Sequence, residues 1–193
     1  MEPSYLVLDI ETAPLLPFED YEQLDQEHKQ KLMNPHDSRV VAVGLRFEGN
    51  DHLLSGDREK DILQRFWHQL RELFQKDRFL FLVGFNISDF DFPFLITRSC
   101  IHNVAIVPFS PKNIIDLRDK INAYRYGRSR GTLKEFANHL GIPLHSITGD
   151  DIASLAAKKD FAAIESYLLK DLEITDALLK RVKETGIIHL TRY

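Results

Sequence analysis

The stretch Tyr5-Leu6-Val7-Leu8-Asp9-Ile10-Glu11-Thr12, close to the N-terminus, constrains the fold of this chain more than any other. Its aromatic and aliphatic residues favour a β-strand, and no breaker interrupts them. Side chains alternate along a strand, so Asp9 and Glu11 leave on the same face. A core strand that ends in two such carboxylates is unfavourable, because the charges repel and lose water together. A divalent cation between them removes the conflict, and Mg2+ or Mn2+ prefers hard oxygen donors of this kind. Spacing alone carries little, since Asp-x-Glu also occurs at Asp20/Glu22, Asp25/Glu27, Asp57/Glu59 and Asp171/Glu173. The position at the end of an apolar strand sets Asp9 and Glu11 apart.

The rest of the chain supplies a sheet around that strand. After the breaker-rich Thr12 to Pro17, a charged stretch runs to about Lys31, with Phe18, Tyr21, Leu24 and Leu32 sparse but compatible with one amphipathic helix. This segment is either a lid over the acidic strand or a surface insertion without a role. Arg39 to Phe47 reads as a second strand, and Gly49-Asn50-Asp51 turns into a short third one, His52-Leu53-Leu54. Asp57 is placed to cap a helix from about Arg58 to Gln75, whose Ile62, Leu63, Phe66, Trp67, Leu70, Leu73 and Phe74 form one wide apolar face. Phe79 to Val83 is a continuous apolar run, the pattern of a strand buried on both sides. Asn113 to Leu117 reads as a last short strand. Strand, helix, strand in this order predicts a partly parallel sheet with helices packed on it, and 193 residues suit a single domain, 1–193.

Three further stretches carry chemistry. Gly84-Phe85-Asn86-Ile87-Ser88-Asp89-Phe90-Asp91-Phe92-Pro93 leaves the fourth strand and enters a helix, with the proline near its first turn. In open α/β sheets ligands gather at the carboxyl ends of strands, where Asn86, Asp89 and Asp91 fall beside Asp9 and Glu11. Asp89 or Asp91 serving only as a turn or cap residue is the alternative. Tyr124 to Gly131 holds three arginines, Arg125, Arg128 and Arg130, among tyrosines and glycines, and suits a sugar-phosphate backbone unless it is a solvated loop. Thr132 then caps a short helix that ends near Leu140-Gly141, before Pro143. In the last helix, about Asp160 to Glu184, ten apolar or half-apolar residues from Phe161 to Val182 fill an arc roughly 160° wide. Asp171 lies inside that arc and Tyr167 sits one turn earlier on the same side. A carboxylate in a buried stripe needs a compensating partner.

Composition narrows the function classes. One cysteine, Cys100, excludes an internal disulfide and a Cys-based zinc site, and suits a reducing, cytoplasmic setting. No apolar run approaches the ~20 residues of a membrane span, and no signal peptide opens the chain. The net charge of −4 gives no general attraction for nucleic acid, so metals and a local basic patch would have to hold phosphates.

Taken together, Asp9/Glu11, Asp91 and Tyr167/Asp171 resemble the three motifs of the DEDD-type 3′–5′ exonucleases. The likeness is to the exonuclease domain of family B DNA polymerases and its free-standing bacterial relatives. Leu8-Asp9-Ile10-Glu11-Thr12 matches the first motif, Asn86 with Phe90-Asp91, Pro93 and Phe94-Leu95 the second, and Tyr167-x-x-x-Asp171 the third. Thr132 to Gly141 is similar to the helix before the third motif. Ser166 stands where the histidine subclass has its base, so the chain resembles the tyrosine subclass; Phe94, often Tyr in the family, and the long segment before Arg39 are its departures.

The resemblance implies an α/β, ribonuclease H-like fold with a mixed five-stranded sheet flanked by helices on both faces. It implies two divalent ions, Mg2+ or Mn2+, held by Asp9, Glu11, Asp91 and Asp171, with Tyr167 completing the catalytic set. It also implies that Ile10, Thr12, Asn86 and Phe90 contact a single-stranded DNA or RNA 3′ end, to which the residues of the loop add Arg125, Arg128 and Arg130 as a grip on the backbone. Hydrolysis would release nucleoside 5′-monophosphates. A nucleic-acid-binding module that has lost catalysis, and a metal- or phosphate-binding protein, are the rival readings. The intact acids argue against the first and the Tyr-x-x-x-Asp helix against the second.

Overall fold

In the computed structural model, which describes residues 3–191 except 78, 126–129 and 145, the acidic strand is the middle of the sheet. Strand β1 (Tyr5–Pro14) pairs antiparallel with β2 (Ser38–Phe47), which pairs antiparallel with β3 (Asn50–Ser55). On its other side β1 pairs parallel with β4 (Phe81–Gly84), and β4 with β5 (Ile114–Asp116), giving the order β3-β2-β1-β4-β5. The sheet is therefore mixed and five-stranded, as expected.

Alternation along β1 sorts its side chains between two cores. Leu6, Leu8 and Ile10 pack with Phe66, Trp67 and Phe94 of helices α3 (Glu59–Lys76) and α4 (Asp91–Ile101). Val7 faces the other way, onto Leu172, Leu178 and Val182 of α8 (Phe161–Glu184). Asp9 and Glu11 share the parity of Val7, so the last helix lies on their side of the sheet. Short helices α5 (Leu117–Ile121), α6 (Leu133–Leu140) and α7 (Ile152–Ala157) fill the space around α8. Helices thus cover both faces.

Several local expectations hold for the stated reasons. Thr132 and Glu135 form a reciprocal capping box at the start of α6, and Gly141 ends it in the left-handed conformation at φ 69°. The last helix runs over the expected span, and Asp160, read only as its approximate start, also caps it by accepting from the Ala163 N–H.

Others need correction. Asp57 does not cap α3: the cap position is Arg58, while Asp57 takes the Lys159 ammonium at 2.6 Å and Arg39 at 3.5 Å. The fourth strand starts only at Phe81, where its partner Tyr5 begins, and Phe79 is exposed. The segment between β1 and β2 forms two short helices rather than one, α1 (Phe18–Glu22) and α2 (Gln26–Lys31), and neither buries a residue.

A buried charge cluster ties one end of the sheet to both helices of its face. Glu59 accepts from the Val40 N–H at 2.7 Å and from Arg98 through Nε at 2.9 Å and Nη2 at 2.6 Å. His102 Nε2 lies 2.7 Å from the same carboxylate. Burial pushes the Glu59 carboxyl up, but these hydrogen bonds outweigh it and hold it below the usual range.

Candidate active site

The site grows from the carboxyl end of β1. There the β1–β2 register slips between Glu11 and Thr12, pairing Glu11 with Ala42 but Thr12 with Val40, so that Val41 is left over as a bulge. Bulges bend a strand and re-aim side chains, and here the bend falls immediately after the second carboxylate. Across the ladder Asp9 pairs with Gly44. A β-carbon on Gly44 would lie 2.7 Å from Leu172 Cδ1 and 2.9 Å from Leu168 Cγ. The missing side chain therefore lets α8 lie directly against the strand pair, one turn from Asp171. Sequence reasoning passed over Gly44, because nothing in a strand pattern announces which helix will cross it.

Asp9, Glu11 and Asp171 offer carboxylate oxygens that all lie within 4.8 Å of one another. Asp91 is not one of that mutual group but borders it, with its nearly buried carboxyl hydrogen-bonded to Asp9. It is the first residue of α4, with Phe90 in the cap position, so it is neither turn nor cap. Its Oδ1 is buried with no hydrogen-bond partner among the described residues. Tyr167, buried on α8, hydrogen-bonds the Asp171 carboxylate, and the Lys134 ammonium sits 5.1 Å over its ring.

The electrostatics follow from this crowding. Burial first, then the charges of Asp91, Glu11 and Asp171, hold the Asp9 carboxyl well above its ordinary range. Glu11 is raised likewise by burial, Asp171 and Asp91, with Lys134 opposing. Burial lifts Asp91 to about 7, against hydrogen bonds from the backbone N–H groups of Asp91 and Ile10 and with the charge of Asp116 adding to the rise. Groups like these ionise together only when a cation joins them. The donor set is all hard oxygen, one oxygen waits unpartnered, and the carboxylates converge, so these residues fit a divalent ion.

The second stretch is organised by a residue that sequence reasoning missed. Asp116 ends β5, is nearly buried, and accepts from the N–H groups of Asn86 at 3.0 Å and Ser88 at 3.1 Å while capping α5. It holds Asn86 in the left-handed conformation at φ 64°, and Arg118 Nη1 donates to the Asn86 side chain at 3.1 Å. The signal was present: Asp116 closes an apolar strand at the same sheet end as Asp9.

The remaining expected residues divide. Ile10, Thr12 and Phe90 line a cavity of about 200 Å³ beside Glu11. Arg125 is exposed, and Arg128 lies outside the described residues. Arg130 is not a solvated side chain. It is nearly buried, pairs with Asp119, and approaches Asp89 at 3.8 Å. With Arg118 it lines a groove of about 590 Å³ next to α6.

Fold and site together define an α/β domain of ribonuclease H-like fold, with an acidic cluster compatible with divalent metal. Residues 36–184 match the family described as predicted 3′–5′ exonucleases related to the exonuclease domain of PolB, and the chain belongs to that family. The matched span contains Asp91, Tyr167 and Asp171, whereas Asp9 and Glu11 precede it. The chain is 31% identical over 167 residues to the uncharacterized protein MJ0365 of Methanocaldococcus jannaschii, covering 81% of this chain and 92% of that protein. Its fold is similar to part of the family B DNA polymerase of the archaeon Pyrobaculum calidifontis, with a TM-score of 0.69 at 17% identity. That likeness covers 97% of this chain but only 25% of the polymerase.

Proposed function

We propose that this chain is a metal-dependent 3′–5′ exonuclease of the tyrosine subclass, removing nucleotides from the 3′ end of single-stranded DNA or RNA. The observation that carries the reading is the convergence of Asp9, Glu11 and Asp171 within 4.8 Å, with the unpartnered Asp91 oxygen at its border. Asp9, Glu11, Asp91 and Asp171 would hold two ions, Mg2+ or Mn2+, which when bound activate water and stabilise the leaving oxygen.

The chain's own residues do the positioning. The Tyr167 phenol is raised, chiefly by burial and then by Asp171, so it stays protonated and orients the attacking water rather than taking its proton. Lys134 brings positive charge beside Glu11 and Tyr167, where the scissile phosphate must sit. Water oxygen bonds to phosphorus and the bond to the 3′ oxygen of the preceding nucleotide breaks. The phosphate leaves on the released nucleotide as a 5′-monophosphate, and the shortened strand keeps a 3′-hydroxyl.

A 5′-labelled single strand incubated with Mn2+ should yield a ladder that shortens from the 3′ end and stops in EDTA. A ladder formed from the other end, or one that continues undiminished in EDTA, would overturn the reading.

A further inference from the structure

The strand pair β1–β2 is joined by far more chain than it needs. Pairing continues out to Pro14 opposite Ser38, and two residues suffice to close an antiparallel hairpin. Residues 15–37 instead loop out as α1 and α2 beside the acidic cluster. The base of the loop is pinned by the Leu15 N–H to the Asp37 carbonyl at 2.8 Å and by Ser38 Oγ to the Leu32 carbonyl at 2.8 Å. Arg98 of the buried charge cluster reaches the Pro35 carbonyl at 3.2 Å. The segment is held at its root and contributes to a cavity that Glu11 also lines.

What it projects is specific. The cavity of about 200 Å³ beside Glu11 is lined by Ile10, Thr12 and Phe90, by Tyr21, Lys29 and Met33 from this segment, and by Asp150 before α7. Tyr21 is not a core residue, since α1 buries nothing, yet it is half-buried here. Lys29 of α2 places its ammonium 5.1 Å from the centre of the Tyr21 ring, so the two short helices fix one another's side chains. Two aromatic rings and an aliphatic floor suit a flat, polar-edged ring, and Lys29 is the cation that partly offsets the Glu11 and Asp150 carboxylates for an anion joined to it.

We propose that Tyr21 and Lys29 form the outer wall of the subsite for the 3′-terminal nucleotide, with Tyr21 stacking on the terminal base and Lys29 steadying that ring and facing the sugar-phosphate. The proposal rests on the exonuclease reading for its ligand, but it concerns binding and can be judged without turnover. Stacking on an aromatic side chain depends on the base, whereas metals and phosphate contacts do not.

The experiment measures Kd for 5′-labelled single strands carrying either a normal or an abasic 3′-terminal unit, using the Asp171→Asn protein and the same protein with Tyr21→Ala, Tyr21→Phe or Lys29→Ala added. The normal terminus should bind about 30-fold more tightly than the abasic one, the middle of the range for stacking a single base. Tyr21→Ala should abolish that preference, Tyr21→Phe should keep it, and Lys29→Ala should weaken it a few-fold. In the otherwise unsubstituted enzyme, Tyr21→Ala should raise KM for the normal strand by a similar factor and leave kcat nearly unchanged.

Equal weakening of both strands by Tyr21→Ala, or no effect on either, overturns the proposal. A strand that is shortened from its 3′ end without any terminal-base preference sinks this subsite and leaves the exonuclease reading intact. Terminal-base preference without cleavage does the reverse.

Discussion

Asp171 is a liability for the fold and, on the proposed exonuclease reading, a requirement for the chemistry. It stands in an otherwise apolar helical stripe within 4.8 Å of two more carboxylates. Asp171→Asn keeps the volume and removes a charge. Activity should fall by roughly 100-fold or more, since even outer partners of metal ligands are worth 10–100-fold. The urea midpoint in EDTA should hold or rise, because a repelling member of the cluster is gone. Loss of folding in EDTA would make Asp171 a structural ion-pair residue. The neighbouring acids also set a pH dependence. Folded-state values for Asp9, Glu11 and Asp91 lie above their unfolded ones, with Asp91 at about 7. Their contribution is therefore fully present below the ordinary carboxylate range and is lost as pH rises through about 7 and beyond. Denaturation in EDTA should show stability falling as pH rises from about 4 to about 7, and saturating Mn2+ should remove most of that slope.

At the scale of elements, the site depends on how closely α8 lies against the sheet and how firmly the opposite face is anchored. Gly44→Ala would put a methyl group 2.7 Å from Leu172 and 2.9 Å from Leu168, so the helix must shift. Stability should drop by about 1–3 kcal/mol, the usual cost of overpacking. Activity should drop further, to roughly 10- to 100-fold, because displacement of reacting groups by about 1 Å has that effect. A Gly44→Ala enzyme with unchanged kcat would mean that α8 adjusts without moving Asp171. Glu59→Gln tests the anchor. It leaves Arg98 buried without its counter-charge, which should cost about 3–5 kcal/mol in urea unfolding. Because the Glu59 carboxyl is held below its ordinary value, its contribution exists above the carboxylate range and vanishes as pH falls through it, opposite in sign to the acids of the site.

Across the whole molecule, a net charge of −4 leaves nucleic-acid affinity to local features and metal. Of the three arginines read as one phosphate grip, Arg130 belongs to the interior with Asp119, while Arg125 is exposed. Each phosphate contact to a single strand adds about 0.7 to the slope of log K against log salt. Substituting Arg125 and Arg128 by alanine should flatten that slope in Asp171→Asn protein. Arg130→Ala should instead lower the melting temperature and change the slope little. A slope that responds to Arg130 alone would restore it as a phosphate contact.

Periodicity and caps made most of the architecture legible. The apolar strands, the Thr132–Glu135 capping box and the stripe of α8 are local patterns, written in spacing that a single chain displays by itself. The motif acids were legible for the same reason, since Asp9, Glu11 and Asp171 break apolar patterns in ways that demand a partner. What the sequence could not determine was adjacency. Asp116 ordering Asn86, Gly44 admitting α8, Arg130 turning inward, and Tyr21 with Lys29 reaching the cavity beside Glu11 all arise from contacts between segments distant in the chain. Such contacts depend on which faces meet once the sheet is assembled, and only the tertiary structure decides that.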